Sequence, residues 1–194
     1  AWTPLAEISP ALGVAVLQAE DQRFMAHGGI DLRAVGQAAW DNLFRDRARG
    51  ASTITMQLAG LLDAELRAGS AGRSWSQKFN QALAARELEA GWSKAQILEA
   101  YLNTVPFLYN AYGIEMAART YFGKPALKLD VLEAATLVGM LKGTHYYNPV
   151  ANPERSRARR NVVLGQMAKH GAFSEARYRA LAKRPLRVLS LIHI

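Results

Sequence analysis

Apolar residues recur every three or four positions through almost the whole chain. Leu12 and Val16, for example, lie four residues apart on one face of a helix, and Glu20 continues the same spacing where this apolar stripe ends. No segment shows the strict alternation of apolar and polar residues that is typical of a half-buried strand. The pattern therefore predicts an all-α, mostly helical fold, with room for no more than a minor hairpin.

Capping residues indicate where several helices begin. Ser9 followed by Pro10 is typical of an N-cap and a first turn, and Asp31 is expected to cap the next helix. Ser93 with Gln96 three residues later predicts a capping box. One helix is expected to follow Ser52 and Thr53, both of which can cap it, and another to start after Ser93. Further helices are expected over about 31–45, 74–90, 113–121, 130–142, 154–170 and 174–183.

The buried faces of two helices can also be predicted. In the helix over 74–90, Trp75, Phe79 and Leu83 are spaced for one face and are expected to be buried. The helix that starts after Ser93 is expected to turn four residues inward: Ile97, Leu98, Tyr101 and Leu102.

Length and composition limit the kind of protein. A chain of 194 residues, half of them hydrophobic, can form one domain or one domain with a small lobe. The absence of cysteine excludes a disulfide framework and a thiolate metal site. The four histidines lack the spacing of a zinc site, so a histidine-bound metal is not expected either.

The chain is strongly basic, with 24 Lys and Arg against 16 Asp and Glu and a formal net charge of +8. Such an excess favours an anionic partner: nucleic acid, anionic lipid or a phosphate-bearing substrate. Nucleic acid is disfavoured, because aromatic residues are not interleaved with the basic ones as a base-stacking surface requires. The basic segment 155–160 is interpreted as a solvated or lipid-facing surface.

Both ends of the chain carry information. The longest apolar run, 131–141, is shorter than the roughly 20 residues that cross a bilayer. Because the chain begins without methionine, we expect a membrane anchor upstream of it. The last six residues, LSLIHI, match the translation of a transposon end that is common in sequencing libraries. We therefore interpret 1–188 as the domain and 189–194 as a non-native tail.

The acidic pair Glu20 and Asp21 is the first candidate for chemistry. Glu20 ends an apolar stripe, and partial loss of solvent makes a carboxylate a better proton acceptor near neutral pH. The alternative is a helix-end carboxylate that pairs with Arg23. His27 also has a structural interpretation, as a buried residue that braces the turn at 28–29.

Other polar residues could hold a substrate or simply support helices. Ser52, Thr53 and Gln57 can offer hydroxyl and amide groups to a sugar or a phosphate, or can cap a helix. Lys78 can bind an anion or can be an ordinary solvated lysine. Lys142 can bind an anion or can simply oppose the helix dipole at a helix end. The residues alone leave these alternatives open.

Six segments follow one another along the chain: EDQRFMAHGGID (20–31), GASTITMQL (50–58), RSWSQKFNQA (73–82), SKAQILEAYLN (93–103), YGIEMAARTYFGK (112–124) and LVGMLKGTHYYNP (137–149). In this order they resemble the motifs of glycosyltransferase family 51, the peptidoglycan glycosyltransferase domain of class A penicillin-binding proteins. Met56 and Gln81 within them resemble the 1C-type branch of that family.

The resemblance implies a lysozyme-like globular lobe and a smaller apolar lobe that touches the membrane. It implies that the enzyme polymerises lipid II into β-1,4 glycan strands, with inversion and release of undecaprenyl diphosphate. The implied partners are lipid II, the growing strand, the membrane surface and other cell-wall synthesis proteins, and not nucleic acid. The implied location is the outer face of the bacterial cytoplasmic membrane, and a transpeptidase domain is expected after this one.

The resemblance also implies roles for the matching residues. Glu20 would be the general base, and Lys78 and Lys142 would stabilise the departing diphosphate. Asp21 would bind substrate and could hold an optional magnesium or manganese ion, although no obligatory cofactor is implied. The other positions would bind substrate (Ser52, Thr53 and Gln57) or support the site (His27, Glu99 and Asn103).

Three positions depart from the family pattern by losing charge. The family's second glutamate, a catalytic position, falls at Gln81, an arginine falls at Gln77 and a lysine falls at Gly60. A glutamine can form hydrogen bonds but cannot transfer a proton. We therefore expect an active enzyme that depends more on Lys78, Lys142 or a cation for the leaving group.

Two alternative functions are kept. The lost charges would also suit a catalytically impaired family member that binds lipid II or partner proteins. A lysozyme-like glycan hydrolase with Glu20 as its acid ranks lower, because such enzymes often use a second carboxylate.

Overall fold

The computed structural model describes residues 2–44, 52–63, 66, 75–108 and 111–189. Within these ranges the fold is all-α, as predicted, and the one strand-like pairing is an isolated bridge between Pro106 and Tyr112. The described α-helices are α1 (Pro10–Glu20), α2 (Leu32–Phe44), α3 (Ile54–Leu62), α4 (Trp75–Gly91), α5 (Lys94–Thr104), α6 (Ile114–Phe122), α7 (Val131–Met140), α8 (Pro153–Lys169) and α9 (Glu175–Lys183).

Predicted caps begin several of these helices. Oδ1 of Asp31 accepts hydrogen bonds from two backbone N–H groups in the first turn of α2. Ser93 and Gln96 form the predicted capping box, each side chain accepting from the backbone of the other. Ser9 differs, because its hydroxyl donates to the carbonyl oxygen of Leu129 while its own carbonyl accepts the first bonds of α1.

The chain divides into two compact units, one formed by Ala1–Ala19 with Leu102–Ile194 and the other by Glu20–Tyr101. In the first unit, α7 is buried along its last two turns and packs against α8. Gly139 allows this close approach, since a Cβ there would lie 3.1 Å from Cγ of Arg159.

The interpretation of 155–160 as a surface is wrong for two residues of α8, Ser156 and Arg160, which are buried. Arg160 is fully buried, and its guanidinium group donates to the carbonyl oxygens of Ala182, Arg184 and Pro185. Burial lowers the pKa of Arg160 from its ordinary value. Since the carbonyl groups at a helix C-terminus lack partners within the helix, Arg160 stabilises the end of α9.

The second unit is organised around α3, which is buried from Ile54 to Gly60 except at Gln57. Helix α4 packs against it. Gly29 has a φ of +88°, and a Cβ at this position would lie 2.7 Å from the carbonyl oxygen of Ala85 on α4. The predicted turn at 28–29 therefore requires glycine at its second position.

The predicted buried face of α4 is wrong. Phe79 and Leu83 are 65% and 46% exposed, whereas Gln81 and Ala85 are buried. The prediction failed because the face of α4 that packs on α3 carries an amide and a small residue. The larger apolar side chains of α4 are exposed to solvent instead. The side chain of Trp75 lies outside the described part of the chain. On α5 the four inward residues are buried as predicted: Ile97, Leu98, Tyr101 and Leu102.

Several sequence predictions concern residues at or beyond the limits of the described chain. Motif residues 50–51 and 73–74 lie outside it, as do 190–194. Leu189 is described, and its backbone N–H donates to the carbonyl oxygen of Tyr121 at 2.8 Å. The interpretation of 189–194 as non-native stays a prediction. Among the described helices, none is long and apolar enough to span a bilayer.

Candidate functional site

Glu20 is the last residue of α1 and the first of the second unit, and its side chain is half-buried. Nε2 of Gln57, on α3, donates to Oε2 of Glu20 at 3.2 Å. Among the described residues no hydrogen-bond donor reaches the other oxygen, Oε1. The carboxylate is thus held at one oxygen, and the second is available to accept a proton.

Tyr101 on α5 fixes the orientation of the Gln57 amide. Its hydroxyl donates to Oε1 of Gln57 at 2.9 Å, so that the NH2 end of the amide faces Glu20. Burial, and secondarily the charge of Glu20, raise the pKa of the Tyr101 hydroxyl above its ordinary value. Tyr101 therefore remains a donor, and the predicted substrate ligand Gln57 is already engaged with the predicted base.

Asp21, the residue after Glu20, forms a buried pair with His27. Nε2 of His27 lies 3.0 Å from both carboxylate oxygens of Asp21, and the two side chains are 4% and 3% exposed. Oδ2 of Asp21 also accepts from the backbone N–H of Ile54, at the start of α3. An anion at a helix N-terminus is favourable. The pair therefore joins the EDQRF segment to α3, which agrees with the supporting role predicted for His27.

Thr53 is the N-cap of α3. Its Oγ1 accepts from the backbone N–H of Met56 and donates to the carbonyl oxygen of Gly29 at 2.6 Å, and the residue is 2% exposed. This geometry favours the capping interpretation for Thr53 over a direct contact with substrate. Ser52 is half-buried next to it, and its predicted substrate contact stays a prediction.

Lys94 on α5 holds a second polar cluster that the sequence analysis missed. Its Nζ donates to the carbonyl oxygen of His27 and to Oε1 of Glu89, both at 2.6 Å, and lies 4.4 Å from the ring centre of Phe24. Thr55 on α3 donates to the same Glu89 oxygen. Lys94 follows Ser93 in the SKAQILEAYLN motif, which is the signal that could have identified it.

The other predicted positions are spread over both units. Lys78 is exposed on α4, and Lys142 is exposed after the end of α7 in the first unit. Gln81 is 2% exposed, and its Nε2 donates to the carbonyl oxygen of Leu66 at 2.6 Å. Because its amide is buried against the backbone, Gln81 differs from an open catalytic side chain.

The two supports predicted on α5 have different surroundings. Asn103 forms a two-way bridge to Thr3 within the first unit: its Oδ1 accepts from the backbone N–H, and its Nδ2 donates to the carbonyl oxygen, both at 2.8 Å. Glu99 is half-buried. The residue of α5 that reaches Glu20 through a partner is Tyr101, whose role the sequence analysis had limited to packing.

Asp21 is a poor fit for the optional divalent cation. Both of its oxygens already accept hydrogen bonds and its side chain is 3% exposed. Within the described residues no group of three or more His, Asp and Glu side chains could enclose a metal ion. A cation requirement stays a prediction, and no chemistry is assigned to a cation on Asp21.

The site as a whole therefore offers one half-buried carboxylate oriented by an amide and a tyrosine. A carboxylate in that state can remove a proton from an alcohol. In the same unit, the exposed Lys78 can bind an anionic group. The Asp21–His27 and Lys94–Glu89 pairs support the elements that carry these residues.

Comparison with known proteins shows the family of the chain. Residues 1–168 match a family model described as Transglycosylase. The chain is 38% identical over 186 residues to penicillin-binding protein 2D of Bacillus subtilis, covering 95% of this chain and 26% of that protein. It is 37% identical over 187 residues to a protein of Cupriavidus necator whose name describes it as a transglycosylase, covering 96% of this chain and 79% of that protein.

The fold is similar to that of a solved relative. The crystal structure of penicillin-binding protein 1A from Haemophilus influenzae aligns with a TM-score of 0.56 and 24% identity, covering 97% of this chain and 18% of that one. The chain thus spans about a quarter or less of the penicillin-binding proteins it matches.

Proposed function

Because the chain belongs to the transglycosylase family, glycosyltransferase family 51, we propose that it polymerises lipid II into peptidoglycan glycan strands. The observation that carries the proposal is the Glu20 carboxylate: Gln57 holds one of its oxygens, and no donor from the described part of the chain reaches the other. The hydroxyl of Tyr101 donates to the amide oxygen of Gln57 and so holds the amide in place. A prepositioned base of this kind suits attack by a sugar hydroxyl.

The proposed reaction uses Glu20 as the general base. Oε1 of Glu20 accepts the proton of the acceptor's 4-hydroxyl as that oxygen bonds to C1 of the lipid-linked donor. The bond from C1 to the diphosphate oxygen breaks, and the lipid diphosphate leaves with the bonding electrons. Attack opposite the leaving group inverts C1, and the product is a β-1,4 linkage.

Lys78 and Lys142 would stabilise the diphosphate as it gains charge. Both are exposed, so each can approach an anion without a buried charge having to be uncovered. Cations placed where negative charge develops lower the barrier of group transfer. A magnesium or manganese ion, if it contributes, would supply further charge neutralisation on the diphosphate.

An apolar surface on the second unit supports action at a membrane. Leu32, Val35 and Trp40 on α2 are 77%, 42% and 61% exposed, and Met25 before them is 67% exposed. Exposed apolar groups together with a net charge of +8 favour an anionic lipid surface. We place the reaction at the outer face of the cytoplasmic membrane, with lipid II and the growing strand as partners.

Hydrolysis is less well supported by the geometry. Glycosidases commonly use two carboxylates that flank the scissile bond. Asp21, next to Glu20 in the sequence, is buried and occupied by His27 and the start of α3. The binding-only alternative rests on the neutral residues at 60, 77 and 81 and has no geometric observation in its favour.

A lipid II assay tests the proposal and separates the alternatives. The chain is incubated in detergent, with and without magnesium, either with labelled lipid II or with labelled preformed glycan strands, and the products are resolved by length. Polymer formation is the expected result. Shortening of preformed glycan strands without polymer would establish a hydrolase, and tight lipid II binding without any product would establish a binding protein.

A further inference from the structure

Gly60 and Gln81 lie against each other across the packed helices α3 and α4. A Cβ at position 60 would come within 2.5 Å of Nε2 of Gln81 and 3.4 Å of the carbonyl oxygen of Leu66. That same Nε2 donates to the Leu66 carbonyl at 2.6 Å. The amide of Gln81 therefore occupies the space that any side chain at position 60 would need.

The chemistry of the Gln81 amide is specific. Its NH2 group can donate to a carbonyl oxygen, which an ionised carboxylate cannot do. A carboxylate in the same place would put two acceptors 2.6 Å apart in a position that is 2% exposed. Glycine inside a helix lowers helix propensity, so Gly60 needs a packing reason, and the amide supplies one.

Gly60 and Gln81 stand at two positions where the family pattern has residues of opposite charge. The pattern has lysine at position 60 and glutamate at position 81, and this chain has lost both charges together. The structure brings the two positions into contact.

The contact lies between two helices that carry proposed catalytic groups. Gln57, the partner of Glu20, is one turn before Gly60 on α3, and Lys78 is one turn before Gln81 on α4. We propose that Gln81 is a positioning residue. Through its bond to Leu66 and its contact with Gly60, it holds the Lys78 helix in place against the helix of Gln57. The role in turnover rests on the proposed function.

A double-mutant cycle on unfolding tests the contact itself. Gly60→Ala is expected to lower the melting temperature by about 2–4 °C in the wild-type chain, because its methyl group meets the amide. In a Gln81→Ala background the same change should raise the melting temperature, because the space is then open and alanine favours the helix. Gly36→Ala, on α2 with no atom near its Cβ, is the control and should stabilise both backgrounds.

Kinetics test the positioning role. Gln81→Ala and Gln81→Glu are both expected to lower kcat for lipid II by about tenfold, with little change in KM, because Lys78 acts in the transition state. Asn80→Ala and Asn80→Asp, at the exposed neighbouring amide, should leave kcat unchanged.

The outcomes are distinguishable. If Gly60→Ala changed the melting temperature equally in the two backgrounds, residues 60 and 81 would not be energetically coupled. This result would overturn the contact whether or not the chain is active. A rise in kcat in Gln81→Glu would overturn the positioning role, since it would mean that a carboxylate is wanted there. Absence of polymer from the wild-type chain would remove the proposed function and the positioning role, while the unfolding cycle would still decide the contact.

Discussion

Gln57 donates from its amide nitrogen to Oε2 of Glu20 at 3.2 Å, and its amide oxygen accepts from the hydroxyl of Tyr101 at 2.9 Å. The amide is thereby kept in one of its two orientations. This relationship joins three helices at the proposed base, and it makes Tyr101 a residue whose effect on Glu20 is indirect.

Tyr101→Phe is expected to lower turnover about tenfold, which corresponds to the loss of one hydrogen bond in the transition state. Without the hydroxyl, the amide oxygen of Gln57 loses its donor, and the amide is held in place only by its bond to Glu20. Initial rates of lipid II polymerisation measure the effect. Tyr112→Phe removes a hydroxyl from a residue that is 67% exposed and should have the rate of the wild type. Equal rates for all three proteins would contradict this role of Tyr101.

His27→Ala is expected to destabilise the fold by about 2 kcal/mol. The substitution removes a hydrogen bond from the Asp21 carboxylate, which is 3% exposed and would be left with its bond to α3 alone. Denaturant unfolding measures the change. His145→Ala, at an exposed histidine, is the control and should lie within about 0.5 kcal/mol of wild type. A similar value for His27→Ala would show that the pair is not structural.

Lys142→Ala is expected to lower kcat roughly 100-fold without a change in melting temperature. The side chain is exposed, so its removal costs little packing, whereas the departing diphosphate would lose a cation. Steady-state polymerisation kinetics and a melting curve on the same sample measure both effects. Lys169→Ala, at another exposed helix-end lysine, should leave both quantities unchanged. Loss of stability in parallel with loss of rate would speak against a role in catalysis.

Leu32→Ser is expected to weaken binding to anionic vesicles about tenfold, because insertion of one leucine side chain stabilises the bound state by about 1.5 kcal/mol or more. Co-sedimentation with vesicles that contain phosphatidylglycerol measures the affinity. Leu127→Ser, at an exposed leucine of the first unit, is the matched control. If the control weakens binding as much, the surface on α2 is not the membrane contact.

The helix starts could be predicted because the determinants are local. Asp31 accepts hydrogen bonds from backbone groups two and three residues away, and Ser93 and Gln96 bond to each other's backbone three residues apart, so nearby sequence is enough to predict these caps. The buried face of α4 could not be predicted. What selects Gln81 for burial is Gly60 on another helix, and apolar spacing within α4 pointed to Phe79 instead.

The candidate site was predicted in part for the same reason. Glu20 and Gln57 were identified one by one, from an apolar stripe and from a motif, but not as a pair. Their hydrogen bond crosses 37 positions of sequence, and the bond from Tyr101 to Gln57 crosses 44. A tyrosine on an apolar helix face looks like packing until the structure shows the atom that its hydroxyl meets.

The most direct test of the account is Glu20→Gln. The substitution keeps the shape of the side chain but removes its ability to accept a proton. Lipid II binding and polymerisation are measured on the same preparation. The account predicts binding within a few-fold of wild type and polymerisation reduced at least about 1000-fold. Polymerisation at a tenth of the wild-type rate or faster would contradict the assignment of Glu20 as the base.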